Sequence, residues 1–129
     1  MLGTAVTKVC SLEVARTGLG EAEAAACGID AVAVTTESTT RAGYYPGARP
    51  IRVKFVAEAG GGRLLGAQIV GEEGAAKRID VAAMAIWGHM TVGEIVDVDL
   101  SYAPPFSPLW DPILIAARRT AEALRATTA

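Results

Sequence analysis

Residues 51–71 read IRVKFVAEAGGGRLLGAQIVG, two strand-like runs separated by three consecutive glycines. In the first run Ile51, Val53, Phe55 and Ala57 alternate with Arg52, Lys54 and Glu58, the pattern of a strand with one face in a core and one toward water. Gly60, Gly61 and Gly62 supply a turn, and RLLGAQIVG, apolar on both faces, folds back as the second arm of a hairpin. Downstream, from Glu72 to about His89, the period changes: Ala75, Ile79, Ala82, Ala83 and Ile86 recur at helical spacing. Lys77, Asp80, Met84 and Trp87 form a second stripe, so this helix carries large apolar side chains away from its buried face. Upstream, IDAVAVTT (29–36) places Ile29, Ala31 and Ala33 on one strand face and Val32 and Val34 on the other, and AVTKVCSLEVART (5–17) predicts one or two further strands. Between them EAEAAAC starts a short helix after Gly20, with acidic residues in its first turn and Gly28 to end it. Thr91 with Glu94 three residues later makes a capping box for TVGEIVDV. Asp111 as N-cap and Pro112 at the first helical position open a last helix to about Leu124, with Arg118, Arg119 and Arg125 toward its end. The class is α+β: one domain over residues 1–129, an antiparallel sheet covered by helices.

Composition narrows the function. At 129 residues the chain has room for one core and none for a nucleotide-binding module beside a catalytic one. Hydrophobic residues make up 51% and charged residues 20%, enough apolar material to fold. A net charge of -2 offers no field for nucleic-acid phosphates. No apolar run reaches the ~20 residues of a membrane helix, and no signal peptide opens the chain, so a cytoplasmic location is expected. Cys10 and Cys27 match neither a redox CxxC nor a zinc spacing and read as free thiols. Aromatics are only 5%, so those present carry more information than usual.

Most chemical motifs are missing or have a plainer reading. Gly18-Leu19-Gly20 begins a dinucleotide fingerprint, but Glu23 stands at its third glycine, and there is no P-loop. His89 is the only histidine and has no nucleophile motif beside it; a partly exposed helix end explains it. Glu72, Glu73, Asp97 and Asp99 could serve as a metal or acid/base group, yet Glu72 and Glu73 are accounted for as first-turn carboxylates. Lys77 and Arg78 could hold an anion but read more simply as a solvated helix face. Two segments resist such accounts: AGYYPG, with Tyr44 and Tyr45, and SYAPPFSPLWDP, with Tyr102, Phe106 and Trp110. Proline-rich loops fix their backbone at low entropic cost and present side chains at defined positions.

Taken in order, LGTAVTK, LEVARTGL, YYPG, LLGAQIVGEEGAAKRIDVAAMAI and DLSYAPPFSPLWDP resemble the C-terminal dimerisation domain of flavin-dependent pyridine nucleotide-disulfide oxidoreductases, nearest the coenzyme A-disulfide reductase and NADH oxidase-like branch. The resemblance runs from Leu2 to about Ala117. It implies a homodimer whose parent subunit carries FAD and NAD(P)H domains, with the redox-active cysteine in the FAD domain and no cofactor or metal held by this fragment. Where glutathione-reductase-like members have a histidine in an HxxPxxxE segment, this chain has Tyr102 followed by Ala103, Pro104 and Pro105. The same branch implies that two tyrosines, here Tyr44 and Tyr102, assist the partner subunit's cysteine, with Tyr45 a weaker candidate. A phenol can hydrogen-bond a departing thiolate while staying neutral at pH 7.

Met84, Trp87, Pro104, Pro105, Phe106 and Trp110 are then the expected dimer interface, of the apolar, isologous kind. As an isolated fragment the domain is expected to have no redox activity. Because the domain begins directly at Met1, the sequence reads as an excised piece or a short gene product. The alternative is a free-standing protein binding coenzyme A or another nucleotide between the tyrosine loops.

Overall fold

A computed structural model describes residues 1–129. Five strands, β1 (Ala5–Val9), β2 (Leu12–Gly18), β3 (Ala31–Thr39), β4 (Pro50–Glu58) and β5 (Leu64–Gly71), form one fully antiparallel sheet in the order β1-β2-β5-β4-β3. Four helices complete it: α1 (Glu21–Ala26), α2 (Ala75–Trp87), α3 (Val92–Val96) and α4 (Pro112–Thr128). The expected α+β class therefore holds, and residues 5–17 resolve into two strands turning at Cys10, whose φ is 54°. Cys10 and Cys27 are both free and exposed.

The hairpin of β4 and β5 is the spine of the molecule. Ile51, Val53, Phe55 and Ala57 on β4 and Leu64, Ala67 and Ile69 on β5 are all buried, and they meet Ile79 and Ala82 of α2, Ile95 of α3 and Ile113 and Ala117 of α4 in one core. Helix α2 crosses β2 and β5, while α4 crosses β3 and β4. The other sheet face carries a smaller cluster, Val56 and Leu65 beneath Ala24 of α1, joined by Ile29, Ala31 and Ala33. The alternation in residues 29–36 thus separates the two faces as expected, with Val32 on the main core side.

A register shift at Val56/Ala57 leaves Leu65 outside the ladder. Its carbonyl is then free to accept the Leu19 N–H at 2.9 Å. Here Gly18 finds its use. Gly18 has φ +66°, and a Cβ on it would meet the Leu65 carbonyl oxygen at 2.2 Å; a Cβ on Gly66 would sit 1.8 Å from the Leu19 oxygen. Two backbones pass too closely for any side chain, which is a packing role rather than a phosphate cradle.

Two expectations about α2 need correction. Glu72 and Glu73 are not in its first turn, because Gly74 adopts φ 81° and the helix starts at Ala75. They pair instead with Arg49 (3.3 Å) and Arg41 (3.0 Å) on the opposite loop. The helix N-terminus is served from far away in sequence: Glu13 of β2 accepts the N–H groups of Ala75 and Ala76 at 2.8 and 3.1 Å. Arg78 is the second correction, since it is 8% exposed and faces inward with Ala75, Ile79 and Ala82. Lys77, by contrast, is solvated as expected.

Candidate functional site

The two aromatic loops, residues 40–49 and 99–111, lie side by side at the N-terminal end of α2. The first is closed at its neck by Thr40, whose N–H donates to the Arg49 carbonyl (2.8 Å) and whose hydroxyl accepts the Arg49 N–H (3.1 Å). Inside the loop Tyr45 N–H donates to the Ala42 carbonyl (2.8 Å), and Gly47 takes φ 87° to complete the turn after Pro46. Arg41 straps this turn down, donating to the Pro46 carbonyl (3.2 Å) and to both oxygens of Glu73.

In the second loop the N–H groups of Phe106 and Ser107 both donate to the Ala103 carbonyl, winding residues 103–107 into a tight turn. The Pro104 carbonyl accepts the N–H of Ala42 at 3.1 Å, which stitches the loops together. Below them Arg78 donates through Nε to Asp111 (3.1 Å) and through Nη2 to the Phe106 carbonyl (3.2 Å). Asp111 also accepts from the Ser107 hydroxyl at 3.3 Å and, as expected of an N-cap, from the Ile113 N–H at 2.9 Å.

This framework brings Tyr44 and Tyr102 together at the surface, 78% and 46% exposed. Hydrogen bonding with Tyr44, helped by partial desolvation and the charge Tyr44 would carry, holds the Tyr102 phenol above its ordinary range. Tyr102 therefore holds its proton more firmly than an ordinary phenol. Tyr45, half-buried, is the less available of the adjacent pair.

The remaining sequence candidates sit as follows. Met84 and Trp87 stand on the outward side of α2, Trp87 at 73% exposed; Phe106, at 77%, projects from the proline-rich loop near Val81. Pro104 and Pro105 are half-buried and shape the turn. Trp110 lies apart from Phe106, with the Arg118 guanidinium 5.6 Å from its ring centroid. A groove lined by Val81, Met84, Ile95, Leu100 and Ile113 continues this apolar surface. His89 is exposed just past α2 with φ 56°, and no three His, Cys, Asp or Glu side chains are grouped to hold a metal. No helix is long and apolar enough to cross a membrane.

Sequence reasoning missed Arg78 and Arg41. The signal for Arg78 was present in the helical phase: a position shared with Ala75 and Ala82 is interior, and a charge there needs a partner.

Comparison with known proteins agrees with this architecture. Residues 4–112 match the model of the pyridine nucleotide-disulphide oxidoreductase dimerisation domain. The chain is 44% identical over 118 residues to an NAD(P)H coenzyme A polysulfide/persulfide reductase of Pyrococcus horikoshii, covering 92% of this chain and 26% of that protein. It is 35% identical over 106 residues to a coenzyme A disulfide reductase of Staphylococcus epidermidis, covering 82% and 24%. The structure of an NAD-dependent persulfide reductase from A. fulgidus superimposes with a TM-score of 0.94 at 40% identity, covering 97% of this chain and 23% of that one. The chain thus spans about a quarter of the length of the curated relatives it matches.

Proposed function

Since the chain belongs to the pyridine nucleotide-disulphide oxidoreductase dimerisation-domain family, with relatives among coenzyme A disulfide reductases and NADH oxidases, we propose that it pairs two flavoenzyme subunits and completes the partner's active site with Tyr44 and Tyr102. The observation that carries this reading is the meeting of the two phenols at the surface, from loops 58 residues apart that share the Ala42–Pro104 backbone bond. Exposed, and mounted on loops stitched to each other, they suit work on a group brought by another chain.

The flavin and nicotinamide of the family find no cradle at Gly18, because its backbone packs directly against the Leu65 carbonyl. On this reading both are held by other domains of a parent subunit. The chemistry of this chain is hydrogen bonding. When a cysteine thiolate of the partner attacks a disulfide or persulfide, a new sulfur–sulfur bond forms as the old one breaks, and the departing sulfur takes the electron pair. A phenol aimed at that sulfur stabilises the developing charge without giving up its proton. Tyr102 spends its proton on the Tyr44 oxygen and so orients that phenol, leaving the Tyr44 O–H free for the sulfur. The substrate class these residues suit is a coenzyme A-linked disulfide or persulfide.

The test is made in the full-length flavoenzyme subunit. Tyr44→Phe and Tyr102→Phe should each lower kcat by about tenfold to a thousandfold, the range of a lost transition-state donor, while FAD content stays full. Unchanged turnover in both variants would refute the tyrosine role.

A further inference from the structure

A helix residue facing the core is normally apolar, yet Arg78 occupies such a position and spends its donors on one loop. One side of the guanidinium meets Asp111, whose carboxylate already caps Ile113 and holds Ser107. The other side reaches past it to the Phe106 carbonyl at 3.2 Å. A tie between α2 and α4 needs only the carboxylate; the second contact grips the 103–107 turn itself. From there the Pro104 carbonyl passes the constraint to the Ala42 N–H at 3.1 Å, two residues before Tyr44. Proline at 104 and 105 keeps the intervening backbone stiff.

We propose that Arg78 is a positioning residue: through its fork onto Asp111 and the Phe106 carbonyl, it sets the register of the loop bearing Tyr102 against the loop bearing Tyr44. The inference rests on the reading of these tyrosines as the active pair, and deepens it. Arg41 is the matching strut on the first loop, tied to Glu73 beside Gly74, whose carbonyl accepts from Arg78 Nη1 at 3.4 Å. Both loops are thereby fastened to the entrance of α2. Lysine cannot reproduce the arrangement, because a single ammonium lacks the planar fork that serves a carboxylate and a carbonyl at once.

Arg78→Lys keeps the charge beside Asp111 and removes the fork, so it separates loop register from fold. In the 129-residue chain, the variant should melt cooperatively, lose the nuclear Overhauser contact between the Tyr44 and Tyr102 rings, and shift the Tyr102 titration downward as Tyr44→Phe does. In the full-length subunit, kcat should fall about tenfold with FAD content and nicotinamide KM unchanged. Asp111→Asn retains the oxygen that caps Ile113 and gives the same readings if Arg78→Lys fails to fold. A wild-type ring contact and Tyr102 titration in the folded variants, or wild-type kcat, would overturn the inference. If both tyrosine-to-phenylalanine enzymes turn over normally, the active-pair reading fails and this inference falls with it. If they are slow while Arg78→Lys and Asp111→Asn are not, only the positioning role fails.

Discussion

Gly66 and Leu19 pass within a distance that only a missing side chain allows, and the cost of filling it can be stated. Alanine at 66 would press its Cβ against the Leu19 carbonyl, 1.8 Å away, with backbone on both sides and no rotamer to relieve it. Gly66→Ala should therefore destabilise the domain by about 3 kcal/mol, the upper end of overpacking, read as a lowered midpoint in urea. The tyrosines give a gentler prediction. Tyr102 is held above the ordinary phenol value near 10 chiefly by Tyr44. Tyr44→Phe removes that partner, so the Tyr102 midpoint should fall back toward 10 in an absorbance titration; an unmoved midpoint would break the pairing. The two loops were legible because aromatics among Gly and Pro have no core to fill, whereas the choice of Tyr44 and Tyr102 within them came from the family resemblance. Arg78 was passed over because charge on a helix is ordinarily solvated, although its phase with Ala75 and Ala82 marked it as interior; a carboxylate 33 positions away neutralises it.

At the scale of elements, what was legible was local. The capping box at α3 lies wholly within Thr91–Glu94 and forms as read: Thr91 Oγ1 accepts the Glu94 N–H at 3.2 Å, and Glu94 accepts the Thr91 N–H at 2.8 Å. The Thr91 N–H and, after it, the Thr91 hydroxyl, which donates to the same carboxylate at 3.0 Å, hold the Glu94 carboxyl below the usual range. Its stabilising contribution is present above the unfolded value near 4.3 and is lost as pH falls through the lower folded value. Thermal melts of wild type and Glu94→Gln should accordingly differ at neutral pH and converge only once the pH has fallen below the lowered folded value. Thr91→Ala should cost about 1 kcal/mol, the worth of a typical N-cap. The start of α2 escaped the sequence because its cap comes from Glu13, 62 residues earlier, and because the left-handed turn at Gly74 diverts Glu72 and Glu73 to the arginines of the tyrosine loop. Strand pairing fared better: the alternation in β4 shows which face is buried, and the three-glycine turn names its partner.

For the whole molecule, the sheet is closed on one side by α2, α3 and α4, but those helices leave an apolar surface of their own. Val81 and Met84 on α2, Phe106 on the loop and the neighbouring groove form an exposed apolar surface. Trp87 extends it at one end. The tyrosine pair lies in the loops beside this surface, so burying it against a second copy would present the phenols across the interface. Under the proposed function, association is the domain's first task and the tyrosine chemistry depends on it. Sedimentation equilibrium of the chain over a hundredfold concentration range tests this most directly. The account predicts a self-associating species that Met84→Asp combined with Trp87→Asp converts to monomer; a wild-type chain that stays monomeric across the whole range would contradict it.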